Sequence, residues 1–124
     1  MRKVLVIEDS PDSMLLITYA LRRGGYEVIP AYSGEEGVEL AMRDRPFFII
    51  VDINLPGIDG LETTRRIRAS TADGQMPIIA ITSNAMAGDR DRILGAGCTA
   101  CFEKPFNPLT IVDRIHNVLG LKQT

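Results

Sequence analysis

The chain has little of what several large function classes require. Its formal net charge is −2, whereas a nucleic-acid-binding domain carries a basic face. No apolar stretch approaches the roughly 18 residues that a membrane span needs. Met1-Arg2-Lys3 leads straight into four apolar residues, too few for the apolar region of a signal peptide, so a soluble, cytoplasmic protein is expected. There is one histidine, His116, and there are two cysteines, Cys98 and Cys101. Their C-x-x-C spacing is half of a zinc set, and as a redox motif it would have to open a helix, whose N-terminus lowers a thiol pKa. Here it runs from a loop into a short apolar run, and two small buried hydrophobes are the expected reading. No glycine-rich loop follows the first apolar run, where a dinucleotide-binding fingerprint would stand. Repeats, low-complexity segments and linkers are missing as well.

What is present is the composition of one globular domain: 124 residues, 45% hydrophobic and 24% charged, expected to form a single unit over 1–124 with one core. Apolar runs at 3–7, 26–30, 47–51, 77–81 and 99–102 alternate with amphipathic stretches at 11–23, 34–44, 59–69, 86–96 and 108–119. That alternation predicts repeated βαβ units and a doubly wound α/β sandwich with a five-stranded parallel sheet. Phe47-Phe48-Ile49-Ile50-Val51 does not alternate with polar residues, as expected of a strand covered by helices on both faces. Ser10-Pro11 and Asn107-Pro108 each place a capping side chain before a proline. Ser33 and Asp59 are each followed three residues later by a glutamate, the pattern of a capping box. Gly24-Gly25, Gly97 and Gly120 stand where helices should stop.

Ligands of such folds bind beyond the carboxyl ends of the strands, and the polar residues gather there: Glu8-Asp9, Asp52, Thr82 and Glu103-Lys104-Pro105. Three carboxylates brought together repel one another, and a hard divalent cation removes the conflict. Mg²⁺ takes oxygen ligands and shares its shell with water and phosphate. Asp9 and Asp52 are the natural direct ligands, with Glu8 acting through water and the backbone carbonyl of Asn54 as a further oxygen. A phosphoryl group on a carboxylate presents oxygens that Mg²⁺, the Lys104 ammonium and the Thr82 hydroxyl can divide among them.

These residues, with Asn54, Pro56 and Gly60 after Asp52, Ile81-Thr82-Ser83 and Lys104-Pro105-Phe106, resemble the receiver domain of the two-component response-regulator family over essentially the whole chain. The resemblance implies a flavodoxin-like (βα)5 fold with strand order 2-1-3-4-5. It implies that Asp52 accepts a phosphoryl group from a phosphohistidine on a sensor histidine kinase or histidine phosphotransfer protein in a Mg²⁺-dependent reaction. Thr82 and Lys104 would contact the acyl phosphate, Lys104-Pro105 would be cis, and the side chains of Asn54 and Asn84 would border the attacking water. The output would be a conformational change read by a downstream protein, in a monomer or a weak phosphorylation-dependent dimer. Such a domain catalyses its own phosphotransfer and dephosphorylation without being a metabolic enzyme. The segment GDRDRILGAGC is similar to that of single-domain cell-division regulators of the DivK type, and also to receivers attached to hybrid kinases. An aspartyl-phosphate phosphohydrolase is the rival enzyme reading, but Asn54 stands where its general acid would be and cannot donate a proton. The family's aromatic reporter, three residues before the lysine, is replaced here by Cys101, and Phe102 should face the opposite side of its strand.

In the first helix, Ser13, Leu16, Ile17, Ala20 and Gly24 follow the spacing of a buried stripe, leaving Met14, Leu15 and Tyr19 off it. These three, with Pro105 and Phe106, are the expected docking surface for a kinase or phosphotransfer helix. In the last helix, His116 falls with Asp113, Arg114 and Asn117 on a polar side expected to be solvated, away from Ile111, Ile115 and Val118.

Overall fold

The computed structural model describes residues 2–70, 75–83 and 86–121. Along the chain run β1 (Lys3–Ile7), α1 (Pro11–Arg23), β2 (Glu27–Ala31), α2 (Gly34–Asp44), β3 (Phe48–Asp52), α3 (Gly60–Ser70), β4 (Ile78–Thr82), α4 (Ala87–Gly95), β5 (Ala100–Glu103) and α5 (Ile111–Leu119). The strands form one parallel sheet in the order β2-β1-β3-β4-β5, the doubly wound architecture expected from the alternation. Four strands lie one residue later than their apolar runs suggest. In β3, β4 and β5 ladder pairing carries on into the polar residue that follows the run, as in Asp52 opposite Ile81 and Thr82 opposite Glu103, and in β2 into Ala31. Asp52 and Thr82 are therefore held by the sheet itself rather than by a loop.

Successive strand residues divide between two cores, as the pleat requires. Val4, Val6, Phe48, Ile50, Ile79, Ile81 and Phe102 pack against Met14, Ile17 and Leu21 of α1 and Ile111 and Ile115 of α5. Leu5, Ile7, Ile49, Val51, Ile78, Ala80 and Cys101 pack against Ala41, Leu61, Ile67 and Ile93 from α2, α3 and α4. Both cysteines are buried free thiols, and Phe102 does face away from Cys101, with the Arg114 guanidinium 4.7 Å from its ring centre.

The caps hold most helix starts where they were read. Ser33 Oγ accepts the Glu36 N–H at 3.1 Å, while the Glu36 carboxylate reaches back to the Tyr32 N–H at 2.7 Å. Asp59 Oδ1 accepts the Glu62 N–H at 2.8 Å. The last helix departs from expectation. Asn107 Oδ1 accepts from the Leu109 N–H at 2.9 Å, and its carbonyl from Thr110 and Ile111, so it closes a turn before a helix that begins only at Ile111. The stop of α2 had no glycine to announce it: Arg45 adopts the left-handed conformation, φ 44°.

Two faces were misphased. In α1 the buried stripe is Met14, Ile17, Ala20 and Leu21, and Leu16 is exposed. Four consecutive apolar residues, Met14 to Ile17, are compatible with two phases, and packing against α5 and the sheet selects the one that buries Met14. In α5, Val118 is exposed, whereas His116 is half-buried and shares a 2.6 Å hydrogen bond between Nε2 and the Tyr26 hydroxyl, its ring edge-on to the tyrosine. His116 thus closes the far end of the domain instead of being solvated.

Candidate functional site

The site grows out of four strand ends, those of β1, β3, β4 and β5, at the carboxyl edge of the sheet. Glu8 follows β1 and extends its pairing with β2 through an N–H bond to the Ala31 carbonyl at 2.9 Å. Its side chain is turned inward and is only 1% exposed. Asp52 ends β3 and is also buried, whereas Asp9 is exposed. One oxygen from each of Glu8, Asp9 and Asp52 lies within 4.8 Å of the others.

Lys104 enters from the carboxyl end of β5. Its N–H donates to the Thr82 carbonyl at 2.7 Å, and the Lys104-Pro105 peptide is cis. Its ammonium donates to Glu8 Oε1 at 2.8 Å, to Asp52 Oδ2 at 3.1 Å and to Ser13 Oγ at 3.5 Å. The other carboxylate oxygens are also occupied: Glu8 Oε2 accepts the Ser10 N–H at 3.2 Å, and Asp52 Oδ1 the Asn54 N–H at 2.9 Å. Asn54 Nδ2 crosses to Ser83 Oγ at 2.9 Å. Thr82 is 2% exposed and, with Asn54, Asp59, Asp89 and Arg92, lines a cavity of about 430 Å³.

Gly60 sets how closely α3 approaches this edge. A Cβ there would lie 2.4 Å from the Asp52 carbonyl oxygen, well inside contact distance. Only a residue without a side chain lets α3 begin directly against the end of β3.

The electrostatics are unbalanced towards negative charge. Burial would push the Lys104 ammonium down, but its bonds to Glu8 and Asp52 and their charges outweigh this and hold its pKa above the ordinary lysine value. Glu8 is pushed up, first by burial and then by its contact with Asp52, against the opposing pull of Lys104 and the Ser10 N–H. One ammonium shared by two buried carboxylates, with a third beside them, leaves negative charge uncompensated, and the most buried group carries the strain. An all-oxygen donor set with surplus charge fits a hard divalent cation and not a soft one.

The residues singled out in the sequence thus meet at one edge: Glu8, Asp9, Asp52, Asn54, Thr82 and Lys104. The expected docking surface is only partly retained. Leu15 is 71% and Tyr19 52% exposed, whereas Met14 and Phe106 are buried in the core; Pro105 is exposed. Met14 belongs to the stripe that α1 presses on the sheet, and Phe106 packs in the same core cluster. Asn84 lies outside the described residues. Two participants went unread. Ser13, on the stripe the spacing assigns to the core, meets Lys104, and Ser83 meets Asn54; each partner is distant in sequence, which no local spacing signals.

The comparisons with known proteins agree with this geometry. The family model for the response regulator receiver domain matches residues 4–116. The polar-differentiation response regulator DivK of Brucella anthropi is 35% identical over 119 residues, covering 96% of this chain and 97% of the relative. Among solved structures, the chemotaxis protein CheY4 of Vibrio cholerae superposes with a TM-score of 0.89 at 30% identity, over 95% of this chain and 98% of that one. The receiver domain of the sensor histidine kinase PA1611 of Pseudomonas aeruginosa has a magnesium ion coordinated in its active-site cleft. It is 36% identical, with a TM-score of 0.86, over 96% of this chain and 98% of that one.

Proposed function

The chain belongs to the response-regulator receiver family, and on that footing we propose that Asp52 is a phosphoacceptor whose modification is signalled to protein partners. The observation that carries this is the Lys104 ammonium set between Glu8 and Asp52 at the carboxyl edge. A carboxylate oxygen of Asp52 attacks the phosphorus of a phosphohistidine; the new P–O bond forms as the P–N bond breaks and the electron pair returns to the donor imidazole. Lys104 holds positive charge against the oxygens that gain charge, and the Thr82 hydroxyl offers a hydrogen bond from the neighbouring strand end. Asp9, Asp52 and the Asn54 carbonyl would hold Mg²⁺, with Glu8 acting through water; bound there, it neutralises the carboxylates and the incoming phosphoryl oxygens. The donor is a sensor histidine kinase or a histidine phosphotransfer protein docking over Leu15, Tyr19 and Pro105. The chain acts as one receiver unit over 1–124, in the cytoplasm, as a switch whose phosphotransfer and dephosphorylation are self-catalysed.

The likeness to the PA1611 receiver supports a second reading, a receiver belonging to a hybrid kinase. Immunoblotting the native protein separates the two by its size.

Incubation with Mg²⁺ and acetyl phosphate, followed by intact mass, tests the acceptor. A gain of one phosphoryl group that disappears in Asp52→Asn is the expected result. Phosphate release far beyond stoichiometry would instead mark a phosphohydrolase.

A further inference from the structure

Arg68 reaches from the last turn of α3 across the amino end of the sheet. Its Nε and Nη2 donate to the Gly97 carbonyl at 2.9 and 2.7 Å, and its Nη1 donates to the Met76 carbonyl. One turn earlier on the same helix, Thr64 Oγ1 lies 3.6 Å from the Cys98 sulfur. α3 therefore grips Gly97-Cys98, between α4 and β5, and through Met76 the approach to β4. The pairing is built from both sides. Gly97 has φ 114°, and a Cβ there would lie 2.9 Å from Arg68 Cγ, so glycine is what lets the arginine stem pass.

α4 has little else to hold it. It is nine residues long, whereas an isolated helix shorter than about 12–15 residues is marginal in water. Among its described side chains only Ile93 is buried, and no side chain caps its first turn. Segments with so few buried apolar groups come from the least stable part of a structure. The Arg68 guanidinium brings to the end of α4 the positive charge that a helix C-terminus favours. It does so as a rigid fork that serves two carbonyls at once.

We propose that α4 and the turn after it form a segment that opens locally while the sheet stays folded, and that Arg68 is the clasp setting how often it opens. Asp89, Arg92 and Ile93 of α4 line the same cavity as Thr82, so each opening removes that wall. The proposal does not depend on Asp52 being the phosphoacceptor.

Hydrogen exchange of the intact protein at low urea, read by mass spectrometry, tests it. In the parent, α4 amides are expected to exchange through an opening with little urea dependence, and β3 amides through global unfolding with the full dependence. Arg68→Met keeps the stem and removes the donors. It should speed α4 exchange about tenfold to a hundredfold, the range that a lost charge-assisted hydrogen bond sets, with the urea dependence still small. Cys101, a buried free thiol in one cluster with Ile93, should be alkylated faster in step. Arg68→Lys, a point donor in place of a fork, should fall between the two and serves in its place if Arg68→Met does not fold. Parent α4 amides with the same urea dependence as β3 would overturn the proposal. So would variants in which β3 exchange speeds up while α4 exchange stays where it was, the mark of a purely global role.

Discussion

Lys104 Nζ lies 3.1 Å from Asp52 Oδ2, in a salt bridge in which the lysine side chain is 22% exposed and the aspartate 6%. The same ammonium lies 2.8 Å from Glu8. A single cation therefore carries the compensation of two buried carboxylates, and the first prediction concerns its removal. Lys104→Met should destabilise the metal-free protein by about 1–3 kcal/mol, a buried-pair loss reduced for partial exposure. Millimolar Mg²⁺ should raise the unfolding midpoint of the variant more than that of the parent, because the variant has more uncompensated charge. Urea unfolding with and without MgCl₂ measures both.

The raised pKa of Glu8 gives a pH dependence with a definite sign. Below the ordinary carboxylate value of 4.5, folded and unfolded Glu8 are both protonated. As the pH climbs past that value, the unfolded chain releases the proton freely while the folded one resists. Stability contributed by this group is therefore present at low pH and lost as the pH rises through its raised folded value. Glu8→Gln cannot lose it. The stability of the variant relative to the parent should increase from about pH 4.5 towards neutrality in metal-free buffer, and the increase should shrink in Mg²⁺. Urea midpoints across that range provide the check, and a difference independent of pH would count against the unbalanced-charge account.

Gly60 is the position where a single methyl group should reach the chemistry. Gly60→Ala places a carbon 2.4 Å from the Asp52 carbonyl oxygen, so α3 or the end of β3 must shift. Overpacking of this kind costs about 1–3 kcal/mol. The rate of phosphorylation by acetyl phosphate should fall together with the unfolding midpoint, whereas Gly88→Ala, where a Cβ meets nothing within 4 Å, should leave both in place.

Docking and chemistry should separate in α1. Leu15 and Tyr19 are exposed on α1. Leu15→Ala and Tyr19→Ala should leave labelling by acetyl phosphate unchanged while weakening transfer from a phosphorylated histidine phosphotransfer protein about tenfold, the scale of a single anchor residue. Equal effects on both donors would point to a change in the site instead.

Strand-end chemistry was legible in the sequence because each polar residue closes an apolar run, and the fold brings the ends of parallel strands to one edge. Asp52, Thr82 and Lys104 could be read that way without any knowledge of contacts. Met14 could not: in Met14-Leu15-Leu16-Ile17 every position is apolar, so only packing against α5 and the sheet decides which side is buried. Phe106 was not legible either: nothing local in Lys104-Pro105-Phe106 signals that its side chain joins the core cluster beneath α1 and α5. His116 and Tyr26 lie 90 residues apart, as Asn54 and Ser83 lie 29 apart, and pairs closed by tertiary structure leave no local periodicity. Cys101, buried on the α4 side of β5, is a small thiol at the position where the family resemblance implied an aromatic reporter.

The central claim is that the phosphoryl group resides on Asp52. Borohydride reduction of the acetyl-phosphate-treated protein converts an acyl phosphate to an alcohol, and peptide mass spectrometry then locates it. Homoserine is expected at position 52 and at no other acidic residue, and nowhere in protein that never met the donor. Reduction at Asp9 or Glu8, or a phosphoryl group found on His116, would contradict it.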